Sequence, residues 1–169
     1  MEESEHSISI PQLVVQVIDL PDEGIDLEGS LPFSAFGLED DELFSLEGDG
    51  VRYRLHVALA KQDVYVTGSL EADVRALCGR CAEWAPLHLA EPKVFHAYTG
   101  VGIEPVDLSE DIREDVVLMF PGSFLCKEDC RGICPRCGKN LNEGDCGCAA
   151  VPSGWEDEES PWASLPEIT

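Results

Sequence analysis

The chain has 169 residues, with 34 acidic and eleven basic side chains that give a formal net charge of −23 at pH 7. That length allows one compact domain with a hydrophobic core, but it is short for two full domains. An apolar run of eighteen residues is absent and the start MEESEHSISI is acidic, which is unlike a signal or transit peptide, so we expect a soluble cytoplasmic protein without membrane contact.

The negative charge is concentrated in the two ends of the chain. Residues 1–50 contain fourteen acidic residues and residues 149–169 contain five, with no Lys or Arg in either segment. This charge disfavours nonspecific contact with a nucleic-acid backbone, because that affinity comes from Lys and Arg displacing counterions. A basic protein partner fits better. An equal alternative is that the acidic ends only keep the protein soluble.

The N-terminal part carries few secondary-structure signals. Residues 13–20, LVVQVIDL, predict a first strand, which Pro21 ends. The isolated apolar residues that follow show no sustained period, so we expect an irregular, partly packed stretch up to residue 50. Residues 1–50 are therefore predicted to be an acidic N-terminal segment with one strand.

Three strands of an antiparallel meander are predicted next. Apolar and polar side chains alternate in VRYRLHVALA, residues 51–60, and the alternation continues through residues 64–78. Gly68 is predicted to mark a bulge or twist in this second strand. A third strand is predicted over residues 85–98, although two prolines interrupt it.

The strongest helix signal is SEDIREDVVLMF, residues 109–120. Ser109 is the predicted N-cap, two acids follow in the first turn, and Pro121 and Gly122 end the helix. Its apolar face can cover one side of the meander. The predicted fold class is therefore α+β, an antiparallel β-meander packed by one helix, with a C-terminal Cys-rich module that resembles a zinc ribbon.

The predicted organisation has four parts. The first part is the N-terminal segment, residues 1–50. Residues 51–122 form the meander and helix, residues 123–148 form a Cys-rich zinc knuckle, and residues 149–169 form an acidic tail. Residues 51–148 are expected to fold as one unit.

Clustered cysteines dominate the end of that unit. Six of the eight cysteines fall within residues 126–148. In a reducing compartment, closely paired cysteines indicate metal binding more often than disulfides. Zinc favours four tetrahedral ligands, and thiolates satisfy it well. A turn that Gly138 makes possible joins Cys134 to Cys137, and Cys146 and Cys148 can complete a ribbon-like zinc site.

The other four cysteines allow two interpretations. Cys126 and Cys130 could share a second ion with Cys78 and Cys81, which would join the end of a sheet strand to the C-terminal segment. Alternatively, the six clustered cysteines share one ion, and the upstream pair are plain thiols.

An enzymatic role has little support in the sequence. A catalytic zinc keeps an open position, and the four histidines show no ligand spacing. The CGRC motif, residues 78–81, ends a strand rather than starting a helix, which argues against a dithiol redox centre. Phosphate-binding and nucleophile-elbow motifs are absent. We therefore expect no enzymatic activity.

Two blocks of sequence resemble the YceD family, which is known for a role in the accumulation of large-subunit ribosomal RNA in bacteria and chloroplasts. The first is a strand that runs into C-x-R-C at residues 78–81. The second is an acidic helix, a proline and C-x3-C-x-G-x-C-P-x-C-G-x-N-L-N with a final C-x-C. Together the blocks span roughly residues 64–148.

The resemblance implies a non-enzymatic factor for assembly of the large ribosomal subunit or for the supply of one of its proteins. A basic ribosomal protein or a large-subunit precursor is then the expected partner, with ribosomal protein L32 as the candidate that the family's gene context implies. The alternative function is that of a redox-regulated zinc-binding chaperone. A DNA-binding regulator is disfavoured by the net charge.

Direct RNA contact, if it occurs, should involve the basic residues of the central segment. An equal alternative is that these residues are ordinary surface charges. The candidates for RNA or partner contact are Arg52, Arg54, Arg75, Arg80, Lys127, Arg131, Arg136 and Lys139.

Overall fold

Two antiparallel sheets, one of five strands and one of two, together with one helix and a cysteine-rich segment, make up residues 13–148, the part of the chain that the computed structural model describes. This architecture confirms the predicted fold class. The strands are β1 (Val14–Val15), β2 (Ile25–Leu31), β3 (Phe44–Ser45), β4 (Val51–Ala60), β5 (Asp63–Leu77), β6 (Trp84–Tyr98) and β7 (Val106–Asp107), and the helix is α1 (Ser109–Leu118). Short 3-10 turns cover Val17–Asp19, Phe33–Phe36 and Leu141–Glu143.

Strands β4, β5 and β6 form the predicted meander. β4 pairs with β5 from Val51 opposite Ala72 to Ala60 opposite Asp63, and β6 pairs with the other edge of β5 from Trp84 opposite Leu77 to Tyr98 opposite Val64, with one break in the register. The alternating apolar side chains of β4 and β5 face the core, as the period of two requires. The fully buried members of this face are Val51, Leu55, Val57, Val64, Val66, Leu70, Ala72 and Ala76.

Gly68 lies at the predicted bulge. The pairing of β5 with β6 shifts register between Gly68 and Leu70, and Pro92 of β6 lies in the shifted stretch. A Cβ atom on Gly68 would lie 2.1 Å from the carbonyl oxygen of Arg54 on β4. The two backbones therefore approach more closely here than any side chain permits.

The structure corrects both N-terminal predictions. In the predicted strand of residues 13–20, only Val14–Val15 is a strand, and it exists by pairing with β7 some ninety residues later in the sequence. The supposedly irregular stretch contains β2, which pairs with β4 along all seven of its residues. The alternation of apolar residues in β2 is hidden in the sequence, because Gly29 stands at a position where an apolar side chain would be expected. A side chain does not fit there, since a Cβ atom would lie 2.6 Å from the Tyr53 hydroxyl oxygen.

Helix α1 covers the core face of the sheet through Ile112 and Val116, which are both fully buried. It is shorter than predicted, ending at Leu118, and Ser109 is its first residue rather than its cap. The Asp107 carboxylate accepts the Ser109 N–H instead. Hydrogen bonding to the side chain and to the backbone N–H of Ser109 holds the pKa of Asp107 below its usual value. The buried Ser109 hydroxyl accepts the N–H of Leu13, which joins the helix to the chain before β1.

A continuous hydrophobic core joins residues 13–50 to the meander and helix. Val15, Val17, Phe33 and Phe36 are buried in the same cluster as β4, β5 and α1. The described part of the N-terminal segment therefore belongs to the folded unit predicted for residues 51–148, while residues 1–12 and the predicted acidic tail, 149–169, lie outside the described residues. Between residues 13 and 148, none of the helical segments has the length and apolar character needed to cross a membrane.

Substitution of Gly68 by alanine should destabilise the sheet. The added methyl group would meet the Arg54 carbonyl, so we expect the free energy of unfolding to fall by about 1–3 kcal/mol, as overpacking of a core does. Gly122→Ala is the matched control, because nothing lies within 4 Å of its Cβ position. Denaturant unfolding of the two variants checks this, and equal stabilities would contradict the close approach at the bulge.

Candidate metal centres

The eight cysteines form two groups of four. The inner centre contains Cys78, Cys81, Cys126 and Cys130, and the outer centre contains Cys134, Cys137, Cys146 and Cys148. Within each group the four Sγ atoms lie within 4.8 Å of one another. The structure thus brings the outer four cysteines together as their spacing predicts. Of the two interpretations left open for the other four, it shows the one in which they form a second group, not the one in which six clustered cysteines form a single site.

The turn after β5 supplies half of the inner centre. The Cys78 N–H donates to the carbonyl of Glu83, and the Ala82 N–H donates to the carbonyl of Cys78, which closes the CGRC segment into a tight turn. The segment around Cys126 reaches this turn through a hydrogen bond of 2.9 Å from the Gly79 N–H to the Phe124 carbonyl. The end of the sheet therefore presents two sulfurs to two others from the C-terminal segment.

The sulfur positions of the inner centre fit a tetrahedral ion. Cys78 Sγ lies 3.8 Å from Cys130 Sγ, and Cys81 Sγ lies 3.7 Å from Cys126 Sγ. Four thiolates bound to zinc at about 2.3 Å stand about 3.8 Å apart on a tetrahedron. A disulfide needs about 2.05 Å instead. Cys78, Cys81 and Cys130 are each less than 5% exposed, so the centre is also shielded from water.

The pKa values of the thiols in the inner centre are shifted in opposite directions. Burial alone would raise the pKa of Cys78, but the backbone N–H groups of Cys126, Cys81 and Arg80 outweigh burial and lower the pKa to about 6. Burial, followed by the neighbouring Cys130 thiol, raises the pKa of Cys126 to about 12. Four sulfurs this close together, three of them buried, would ionise together only beside a compensating cation, a charge that a divalent metal would supply.

The outer centre is a small ribbon. Its first turn is closed by hydrogen bonds from the Cys134 N–H to the Lys139 carbonyl and from the Gly138 N–H to the Cys134 carbonyl, and Gly138 has a φ of 73°. The N–H groups of Arg136 and Cys137 lower the pKa of Cys134 to about 6. Cys137 is exposed, so this centre is more open than the inner one.

Asn142 connects the two centres, a role that no local sequence pattern indicates. Its side-chain Nδ2 donates to Cys130 Sγ at 3.3 Å, and its Oδ1 accepts the Arg131 N–H at 2.9 Å. The hydrogen bond from Asn142 lowers the pKa of the Cys130 thiol. The C-terminal asparagine of the N-L-N motif in the outer ribbon thus orients a sulfur of the inner centre.

Four of the eight basic candidates make contacts inside the cysteine-rich region. Arg80 donates to the Cys130 carbonyl at 3.1 Å, and its own carbonyl accepts the Ile133 N–H. Arg131 forms an ion pair of 2.6 Å with Asp145, whose carbonyl also accepts from Lys139. Lys127 lies 3.8 Å from Asp129. These four basic side chains thus contact acidic or carbonyl groups of the chain itself.

Of the remaining candidates, Arg52 and Arg54 line one hollow of the sheet surface together with Glu28 and Glu71, whereas Arg75 and Arg136 are not part of it. Arg52 pairs with Asp73 at 2.8 Å on the face of the sheet that points away from the core, and Arg54 and Arg75 lie on the same face. Arg136 lies in the turn of the outer ribbon. Within residues 13–148, Arg54, Arg75 and Arg136 form no side-chain hydrogen bond or ion pair, and the structure does not bring the three together as one patch.

Comparison with known proteins adds a family match. Residues 93–168 match the family described as large ribosomal RNA subunit accumulation protein YceD. An uncharacterized protein of Mycobacterium tuberculosis is 30% identical over 131 residues, which cover 68% of this chain and 59% of that protein. An uncharacterized protein of Mycobacterium leprae is 26% identical over 141 residues, covering 72% of this chain and 60% of that protein.

A plant protein with a descriptive name is also similar. The large ribosomal RNA subunit accumulation protein YCED homolog 1, chloroplastic, of Arabidopsis thaliana is 37% identical over 63 residues, which cover 37% of this chain and 18% of that protein. The chain thus spans about 60% of the length of the mycobacterial relatives and a smaller share of the plant protein. No solved structure matches the chain.

Loss of the inner centre should destabilise the fold more than loss of the outer one. Cys130→Ser removes a ligand that joins the cysteine-rich segment to β5, so we expect one metal equivalent to be lost and the melting temperature to fall by roughly 10 °C or more, since a structural site contributes several kcal/mol. Cys137→Ser is the control, and it should also lose one equivalent but leave unfolding of the sheet nearly unchanged. Mass spectrometry under native conditions and thermal unfolding test this, and equal melting temperatures would contradict it.

Asn142→Asp should weaken metal binding at the inner centre. An aspartate keeps the shape of Asn142 but cannot donate to Cys130 Sγ, and loss of such a contact typically costs about 10–100-fold in metal affinity. Asn140→Asp adds the same charge yet keeps the acceptor for Asn142, so it is the matched control. Competition with a coloured chelator measures both, and the interpretation fails if the two variants release metal at the same chelator concentration.

Proposed function

Since the chain belongs to the YceD family, we propose that it is a non-enzymatic cytoplasmic factor that supports the accumulation of large-subunit ribosomal RNA. The match of residues 93–168 to that family is the observation that carries the proposal. Such a factor acts on assembly of the large subunit or on the supply of one of its proteins. The name of the plant relative is consistent with this role.

We propose zinc as the ion of both centres. Each centre offers four thiols with the spacing of tetrahedral ligands, and a set of four soft sulfur ligands favours zinc. Such a site has no position left for a substrate, so zinc would supply charge compensation and a cross-link. The protein's own residues, Asn142 and Arg80 among them, orient the ligands and hold the two segments together.

The charge supports a basic protein as the direct partner. Both chain ends carry acids without any Lys or Arg, and this field attracts a basic ribosomal protein and opposes an RNA backbone. Most basic candidates in residues 13–148 already contact acids or carbonyl groups of the chain itself. Ribosomal protein L32 is the candidate that the family resemblance suggests.

Affinity purification of the tagged full chain from growing cells, with and without ribonuclease, tests this function. We expect a basic large-subunit protein to remain bound after digestion, and depletion of the chain to lower the ratio of large-subunit to small-subunit ribosomal RNA. An unrelated tagged protein of similar net charge is the control for nonspecific attraction. Retention of RNA precursors alone, with every protein lost on digestion, would overturn the protein partner. An unchanged RNA ratio would overturn the function.

A further inference from the structure

A shallow apolar groove lies between α1 and the loop that leads into β3. We call it the helix groove; its volume is about 180 Å³. Val117 on its helix wall is 40% exposed, so the groove is open to solvent. Its lining residues are Leu38, Glu39, Asp41, Phe44, Leu46, Val117 and Phe120.

The walls of the helix groove are ordered by contacts of their own. The Asp41 carboxylate accepts the N–H groups of Leu43 and Phe44 at 2.7 and 2.6 Å, and Asp40 accepts the N–H of Leu46 at 2.7 Å. The rings of Phe44 and Phe120 meet edge to face, with centroids 5.1 Å apart. The groove is therefore formed before any ligand arrives, which reduces the entropy lost on binding.

Acidic side chains surround this apolar surface. Glu39 and Asp41 stand on the loop wall, and beyond Val117 the surface continues into a hollow lined by Glu110 and Glu114 of α1. The one base of that hollow, Arg113, donates its Nε–H to the Phe36 carbonyl. Within residues 13–148, no Lys or Arg forms an ion pair with Glu39, Glu110 or Glu114.

We propose that the helix groove binds a segment of a basic protein in which Lys or Arg residues flank one or two large apolar side chains. An apolar anchor fills the groove while its basic neighbours face the acidic rim. The same rim repels an RNA phosphate backbone and a second copy of this acidic chain. This inference rests on the proposed function and names the surface at which its basic partner docks.

Fluorescence anisotropy with a defined probe tests the proposal on the full chain. The probe is a fluorescein-labelled lysine-rich peptide with two leucines placed four residues apart, and a second peptide carries glutamine in place of both leucines. We expect the leucine peptide to bind at least ten times more tightly than the glutamine peptide, with an affinity that falls as salt rises. Equal affinities of the two peptides would show that the peptide is attracted by net charge alone, and would overturn the proposal that the groove binds an apolar anchor.

Matched variants locate the binding. Val117→Lys should weaken binding of the leucine peptide at least tenfold. Ile103→Lys should change this affinity less than twofold, because Ile103 is an apolar residue that is 73% exposed and lies outside the groove. Val117→Gln adds no charge and replaces Val117→Lys if that variant unfolds. A double substitution, Glu39→Gln with Glu114→Gln, should weaken binding and reduce its salt dependence. Equal effects of Val117→Lys and Ile103→Lys would overturn the proposal.

Other occupants give different results. Tighter peptide binding after replacement of Trp155 and Trp162 by serine would show that the chain's own tail occupies the groove, and dimerisation that Val117→Lys abolishes would show a second copy there. Direct binding of a labelled single-stranded RNA that Val117→Gln weakens would favour RNA. Each of these outcomes overturns the proposal.

Failure of the groove and failure of the function are distinguishable. If affinity purification recovers a basic ribosomal protein that Val117→Lys also retains, the function stands and the groove is wrong. If it recovers none, the protein partner is wrong, and if depletion leaves the ribosomal RNA ratio unchanged the function fails, whatever the peptide does.

Discussion

The cysteine-rich segment depends on the junction between the end of β5 and the chain after α1. Residues 123–148 contain few buried side chains besides cysteines, so hydrophobic burial contributes little there. The inner centre offers four sulfurs at tetrahedral spacing, and hydrogen bonds from Gly79 and Arg80 to the cysteine-rich segment surround it. Because thiolates repel one another at these distances, the proposed metal ion would turn the junction into a stable cross-link.

The two centres are coupled but not equivalent. The inner centre joins segments that are about fifty residues apart in sequence, whereas the outer centre joins two halves of one short ribbon. Asn142 belongs to the ribbon by position and to the inner centre by its hydrogen bond to Cys130. A disturbed outer ribbon would therefore affect one ligand of the inner centre, while the sheet retains its own hydrophobic core.

Local periodicity was sufficient to predict the meander, and cysteine spacing was sufficient to group the four cysteines of the outer centre, but it left two interpretations open for the other four. Alternation in β4 and β5 is visible in sequence because every second residue enters the core. β2 was missed because Gly29 interrupts its alternation, and the reason for that glycine, the Tyr53 ring, is on another strand. The pairing of β1 with β7 and the contact of Asn142 with Cys130 are likewise long-range, so no local pattern encodes them.

The distribution of charge over the folded part bears on the kind of partner. Arg54, which has no ion pair within residues 13–148, lies opposite Glu28 in the register of β2 and β4, and the outward face that it shares with Arg52 also carries Glu71 and Asp73. A nucleic-acid site needs several bases together, so that their release of counterions adds up. Alternating charges on a sheet face do not provide this. The acidic rim of the helix groove, in contrast, adjoins an apolar surface, and the proposed basic partner rests on this combination of a local apolar anchor with long-range attraction.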